Sequence, residues 1–205
     1  MKYLRVFLFI FLPLILNHNI SIAQSYTVGG GLSYATDNTN AKGNIGFEGN
    51  FTFLTESIVA IRASVGRYGS DTKVNIISEG DYSLLWLEGT LLLQGKSPKV
   101  QPYGGIGGGY YITSHELSSR LNNILSLLGV RAKEDIQDVF GIHFRGGLNV
   151  PVSPTVALNL DLKYVILKPD VKVEATNLYT FRTASVTESL DLSTFIIGFG
   201  ISVTL

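Results

Sequence analysis

The sequence predicts an all-β fold, an eight-stranded antiparallel up-and-down transmembrane β-barrel with one short helix in its third extracellular loop. Three observations predict it. Apolar residues recur at every second position in eight segments, the opposite phase is rich in glycine, and short and long connections alternate along the chain. Composition excludes most competitors. The 205 residues carry 16 basic and 16 acidic side chains and no cysteine. That balance supplies neither a basic field for nucleic acid nor the excess charge of a disordered chain. Without cysteine there is no disulfide framework, CxxC metal site, thiol nucleophile or lipobox.

Residues 1–23 read as a secretory signal peptide. Lys2 and Arg5 form a basic start, residues 6–16 are an apolar run containing Pro13, and Ser21-Ile22-Ala23 places small residues at the cleavage-determining positions. Cleavage before Gln24 leaves residues 24–205 as the barrel domain and removes two of the sixteen basic residues, so the remainder is slightly anionic. Beyond this segment no apolar run approaches the ~20 residues of a spanning helix.

The strands follow in order. The first presents Tyr26, Val28, Gly30, Leu32 and Tyr34 on one face, the second Ile45, Phe47, Gly49, Phe51 and Phe53, and the third Val59, Ile61, Ala63 and Val65. The fourth offers Leu85, Leu87, Gly89, Leu91 and Leu93, and the fifth Pro102, Gly104, Ile106, Gly108, Tyr110 and Ile112. The sixth has Phe140, Ile142, Phe144, Gly146, Leu148 and Val150, the seventh Val156, Leu158, Leu160, Leu162, Tyr164 and Ile166, and the eighth Phe195, Ile197, Phe199, Ile201, Val203 and Leu205. None of these positions carries a charge, although 16% of the chain is charged. Successive strand residues point to opposite faces, so this is one continuous apolar surface.

The other phase is small, with Gly29, Gly31, Gly46, Gly66, Gly105, Gly107, Gly109, Gly141, Gly147, Gly198 and Gly200. An eight-stranded interior is just wide enough to be filled by side chains, so small residues belong inside and the large apolar ones face lipid. Tight turns are expected at residues 54–56, 95–98 and 151–154, and longer loops at 36–43, 69–80, 113–138 and 167–190. That alternation matches outer-membrane barrels of Gram-negative bacteria, whose periplasmic turns are short, and it places both termini on the periplasmic side of the cell envelope. Tyr34, Tyr68 and Tyr110 are expected in an outer aromatic girdle and Tyr26, Phe51 and Phe53 in an inner one.

Charges within the strands fall on the inward phase: Glu48, Arg62, Glu88, Arg145, Asp161 and Lys163, with His143 beside them. Most lie five or six residues above a short turn and should share one layer. A pairing sum of 110 in the second hairpin sets Glu48 opposite Arg62, and a sum of 306 between the sixth and seventh strands sets Arg145 opposite Asp161 and His143 opposite Lys163. Two readings stand for this layer: an ion-paired filling that satisfies its own charges, or a constriction that selects or gates solutes.

In the third loop, Thr113 and Glu116 have capping-box spacing, and Leu117, Leu121, Ile124, Leu125 and Leu128 recur at helical spacing before Gly129. This helix is expected as a lid, an interfacial element or plain loop packing. In the last loop, alternation through Val171, Val173 and Ala175 and again through Phe181, Thr183 and Ser185 predicts a hairpin projecting beyond the bilayer, with a bend at Pro169.

The stretch from Gln101-Pro102-Tyr103-Gly104-Gly105 to Gly109-Tyr110-Tyr111, the helix-containing loop, residues 140–150 and Leu158-Asn159-Leu160-Asp161-Leu162-Lys163-Tyr164 resemble the bacterial outer membrane protein W (OmpW) family, within the OmpA-like eight-stranded barrel superfamily. The resemblance implies a monomeric porin-like barrel in the bacterial outer membrane that passes small, partly apolar molecules. Its implied partners are the lipid bilayer, the barrel-assembly machinery and periplasmic chaperones, and a small-molecule solute. Family members usually end in an aromatic residue, whereas this chain ends in Leu205 with Phe199 the nearest aromatic. A structural or adhesive protein with a closed lumen and ligand-binding extracellular loops is the alternative.

No catalytic, cofactor or metal site is expected. His115 and His143 have no evident serine-carboxylate partners, and the glycine runs lie within strands rather than before a helix.

Overall fold

The computed structural model describes residues 25–37, 44–55, 58–72, 80–117, 119–127 and 129–205. The expected signal peptide therefore lies outside the described residues. Eight strands close into a barrel: β1 (Ser25–Asp37), β2 (Asn44–Leu54), β3 (Val59–Thr72), β4 (Gly80–Gln94), β5 (Gln101–Leu117), β7 (Val139–Pro151), β8 (Val156–Ile166) and β11 (Thr194–Thr204). All neighbours are antiparallel, and β1 pairs β11 to close the ring. Closure pairs every strand edge inside the membrane, where an unpaired backbone group has no water to turn to.

Alternation sets the faces as expected. Leu32, Ile45, Phe47, Leu87, Phe140 and Phe199 all point outward and are exposed. The inward glycines have a packing reason. Four of them pair across the ladder with, or lie diagonal to, a large inward side chain: Gly66 with Trp86, Gly107 with His143, Gly147 with Tyr103, and Gly141 beside Tyr111. A Cβ at any of these four would collide with that neighbouring side chain. Aromatic and ionic side chains thus lie flat over bare backbone, which lets a narrow lumen hold them.

Both predicted registers are corrected. In β2–β3, Glu48 faces Gly66 and Arg62 faces Thr52; in β7–β8, Arg145 faces Lys163, Asp161 faces Gly147 and His143 faces Val165. The turns are the cause. Thr55 N–H and Oγ1 both donate to Val59 O, at 3.3 and 2.6 Å, which moves the first turn two residues along the chain. Val152 N–H and Ser153 N–H converge on Val156 O at 2.9 and 3.1 Å, which moves the second by one. Both shifts keep every side chain on its own face, as the period of two requires.

Three further strands lie beyond the barrel, β6 (Val130–Ile136), β9 (Asp170–Asn177) and β10 (Thr183–Ser189), in a sheet ordered β10-β9-β6. Residues 194↔165 of β11–β8 and 189↔170 of β10–β9 share one pairing sum, and Leu190 N–H and Leu192 N–H bridge the gap to Pro169 O and Leu167 O at 2.9 and 3.0 Å. The hairpin therefore projects as a continuation of the β8–β11 ladder, interrupted at Pro169.

The helix α1 spans Ser119–Leu127, and its start is a correction. Thr113 and Leu117 belong to β5, which pairs β4 as far as Leu117↔Gly80. Thr113 Oγ1 donates to Gln137 O at 3.2 Å, so it anchors the return strand instead of capping a helix. Within α1, Ile124 and Leu127 are exposed and Leu125 half-buried. Leu128 and the side chains of Leu117, Leu121 and His115 lie outside the described residues. Gly129 ends the helix at φ +69, its N–H bonded to Ser126 O at 3.0 Å, which is the glycine stop expected there. Tyr68 is also a correction: it is buried inside, tilted against Trp86 at 5.7 Å, and belongs to no girdle. Tyr26 packs on Phe51 and Phe53 at 5.7 and 5.6 Å near the inner rim.

Candidate functional site: the charged layer of the lumen

β2, β3, β4, β7 and β8 each deliver charged groups to one level. Arg145 Nη2 donates to both oxygens of Glu48 at 2.7 Å. Lys163 Nζ donates to Glu48 Oε2 at 3.1 Å and to Glu88 at 2.9 and 3.0 Å, so it bridges the two carboxylates. Glu88 also accepts from Tyr111 Oη at 2.6 Å and Ser64 Oγ at 3.2 Å. Toward the periplasmic end, Arg62 Nε donates to Thr52 Oγ1 at 3.0 Å and its Nη1 lies 3.5 Å from Asp161. Asp161 accepts from Tyr103 Oη and sits 3.4 Å from Arg145 Nε. Three carboxylates thus balance three cations, which is the condition for holding charge at this depth.

The seven sequence-predicted residues are brought together, though through other partners than the pairing sums implied. Glu48 meets Arg145 and Lys163, and Arg62 meets Asp161. Sequence reasoning missed the neutral groups that complete the layer: Tyr103, Tyr111, Trp86, Ser64, Thr52 and Thr90. Their signal was available. All share the inward phase with the charges, and Trp86 is the sole tryptophan of the chain. Lys163 Nζ lies 4.4 Å from the Trp86 ring centroid and Arg62 Cζ 4.9 Å from that of Tyr103, so aromatic faces supply part of the cations' surroundings.

Apolar groups pack on both sides of this layer. Toward the outside, Ala35, Tyr68, Leu84, Trp86, Tyr111, Val165 and Ile196 pack with Leu167, Val171, Leu192 and Ile136 from the projecting segments. Toward the periplasm, Ala60, Leu92 and Tyr103 pack with Leu54. A cleft of about 40 Å³, open on one side, reaches Glu48, Arg62, Asp161 and Lys163, and the Glu48 and Asp161 side chains keep 16% and 19% exposure.

Thr90 Oγ1 and His143 Nε2 share a hydrogen bond of 2.8 Å, and His143 Nδ1 lies 3.9 Å from Glu88 Oε1. Hydroxyl, imidazole and carboxylate follow one another as in acyl-transfer sites. Thr90 is only 2% exposed and His143 0%, and the imidazole covers Gly107, so no substrate carbonyl reaches the hydroxyl. Among the described residues no cluster of three His, Asp or Glu side chains is placed to hold a metal ion.

This closed barrel, apolar outside and ion-paired within, has a family counterpart. The family model for the outer membrane protein beta-barrel domain matches residues 17–202. The chain belongs to that family. Among solved structures, OprG of Pseudomonas aeruginosa is similar with a TM-score of 0.70 at 15% identity, covering 90% of this chain and 97% of that one. The outer membrane protein AlkL in lipid bilayers is similar with a TM-score of 0.56 at 20% identity, covering 88% and 90%. Ail, the attachment invasion locus protein of Yersinia pestis, in complex with the heparin analogue sucrose octasulfate, has a TM-score of 0.52 at 12% identity, covering 89% and 97%. No curated protein sequence matches the chain. At these identities the likeness is one of fold. The protein is a bacterial outer-membrane β-barrel in contact with the lipid bilayer.

Proposed function

We propose that the protein acts at the cell surface through its projecting sheet and tip, as a structural or adhesive outer-membrane protein, while its lumen stays closed. The observation that carries this reading is the filling of the lumen. Arg145, Lys163 and Glu88 side chains are at most 1% exposed, both cations lie against Glu88, and an apolar cluster packs on either side. Moving an ion along that axis requires breaking buried charge pairs whose loss costs several kcal/mol each. The surface reading also draws support from Ail, whose structure is named for attachment and holds a heparin analogue on the same architecture.

A second reading, a narrow channel for small or partly apolar molecules, draws support from the apolar outer half of the lumen around Tyr68 and Trp86. The resemblance of residues 101–111 and 158–164 to the OmpW family points the same way. In either reading, residues 1–23 are a signal peptide, the barrel-assembly machinery and periplasmic chaperones deliver a monomeric barrel, and neither nucleic acid nor a cofactor takes part.

Replacing residues 174–185 by a short turn, which keeps Val171 in the outer plug, tests the proposal. The barrel should still fold, with unchanged small-solute uptake by whole cells, while surface attachment is lost. Retained attachment with altered uptake would favour the channel.

A further inference from the structure

We propose that β10 is a self-complementary docking strand through which two copies of this protein join head to head from facing membranes. This rests on the surface-acting reading and names the partner as a second copy of the chain. Among the described residues β10 pairs only β9, and all seven of its residues are exposed. Exposed edges in soluble sheets are usually guarded by lysine, proline, bulges or covering segments. Thr183-Ala184-Ser185-Val186-Thr187-Glu188-Ser189 has no lysine or proline and one charge, Glu188. The opposite edge strand, β6, carries Arg131, Lys133, Glu134 and Asp135 and leans on β5 and α1.

The free edge has a definite hydrogen-bonding phase. Asn177 N–H donates to Arg182 O at 2.9 Å, and Leu190 N–H and Leu192 N–H donate back across the same ladder. Even-numbered residues therefore spend their backbone groups on β9, and Thr183, Ser185, Thr187 and Ser189 turn theirs outward. An antiparallel pairing of two β10 strands centred on Val186 sets Thr183 opposite Ser189 and Ser185 opposite Thr187. Those are the four residues with outward groups, so every one finds a partner. Glu188 then faces Ala184, hydroxyl faces hydroxyl, and Val186 faces its own copy, so no like charges oppose. No other register engages all seven residues.

Orientation follows from the ladder. β9–β10 continues β8–β11 outward from the bilayer, and barrel strands tilt ~35–45° from the membrane normal. Two copies in one membrane, related by an axis along that normal, bring their β10 strands together crossed or parallel. Antiparallel pairing requires the copies to face each other, which is a cell-to-cell or vesicle-to-vesicle contact.

The chain has no cysteine, so Val186→Cys reports on the pair alone. Across a non-hydrogen-bonded pair the Cα atoms lie ~4.5 Å apart, within disulfide reach. Full-length protein with two different tags is reconstituted into two separate vesicle populations, mixed and oxidised. The proposal expects vesicle clustering and mixed-tag disulfide dimers at least about fivefold above those of Ala184→Cys. It also expects clustering to be lost with Val186→Lys, which sets two like charges face to face on an exposed site and leaves the barrel intact. Mixed-tag dimers no more frequent than with Ala184→Cys, dimers only within one vesicle population, or clustering that survives Val186→Lys would each overturn it. Ion leakage measured in the same vesicles speaks only to the closed lumen, so failure of that reading is seen separately.

Discussion

At the scale of single residues, the glycines separate into two physical classes that one substitution distinguishes. Gly66 lies beneath the Trp86 indole and Gly107 beneath the His143 imidazole, whereas Gly89 faces outward with nothing within 4 Å of a Cβ. Gly66→Ala and Gly107→Ala should each destabilise the barrel by about 1–3 kcal/mol through overpacking. Gly89→Ala should be neutral or stabilising by up to about 1 kcal/mol, since a strand glycine loses more backbone entropy. Urea unfolding of the refolded barrel in lipid vesicles, read by Trp86 fluorescence, ranks the three. Glu88 is the most connected carboxylate, holding Lys163, Tyr111 and Ser64. Glu88→Ala should cost about 3–5 kcal/mol in the same measurement, because it leaves two carboxylates against three buried cations, with Lys163 held by Glu48 alone. The charges were legible in the sequence as an inward set because parity alone decides the face. Their partners were not, because a turn displaced by one or two residues changes every neighbour while leaving parity untouched, as Glu48 and Arg62 illustrate.

At the scale of elements, the projecting hairpin was legible from alternation through Val173 and Ser185, and its interruption from Pro169. The third strand of that sheet was not. β6 reads Val130-Arg131-Ala132-Lys133-Glu134-Asp135-Ile136, and charges at four of seven positions hide a solvated strand from any apolar pattern. The Thr113 and Glu116 spacing suggested a helix start because local capping signals ignore the long-range pairing with β4 that extends β5. The linker from β10 to β11 carries its own titratable clasp. Asp191 Oδ1 accepts from Ser193 Oγ at 2.5 Å and Ser193 N–H at 3.0 Å, and these bonds hold the Asp191 carboxyl below the usual carboxylate range. A lowered pKa means the clasp is in place at neutral pH and is lost as acidification passes through the folded-state pKa. Amide exchange at Ser193, corrected for the intrinsic rate, should accelerate only at that acidic end. Asp191→Asn should abolish the change with pH.

At the scale of the whole molecule, three layers occupy the lumen: an apolar plug at the outer mouth, a neutral set of ion pairs at mid-depth and a small apolar cluster near the periplasm. The outward face was fully legible, since lipid demands an uninterrupted apolar surface. The plug was less so, because Leu167, Val171 and Leu192 reach it from connecting segments whose folding no strand pattern encodes. Closure is the central claim, and single-channel recording in planar bilayers tests it most directly. The wild-type protein should give no resolved ion current at moderate voltage, and Arg145→Ala, which removes the guanidinium joining Glu48 to Asp161, should raise leakage above that baseline. Steady, discrete openings of the wild-type barrel, unchanged by Arg145→Ala, would contradict it.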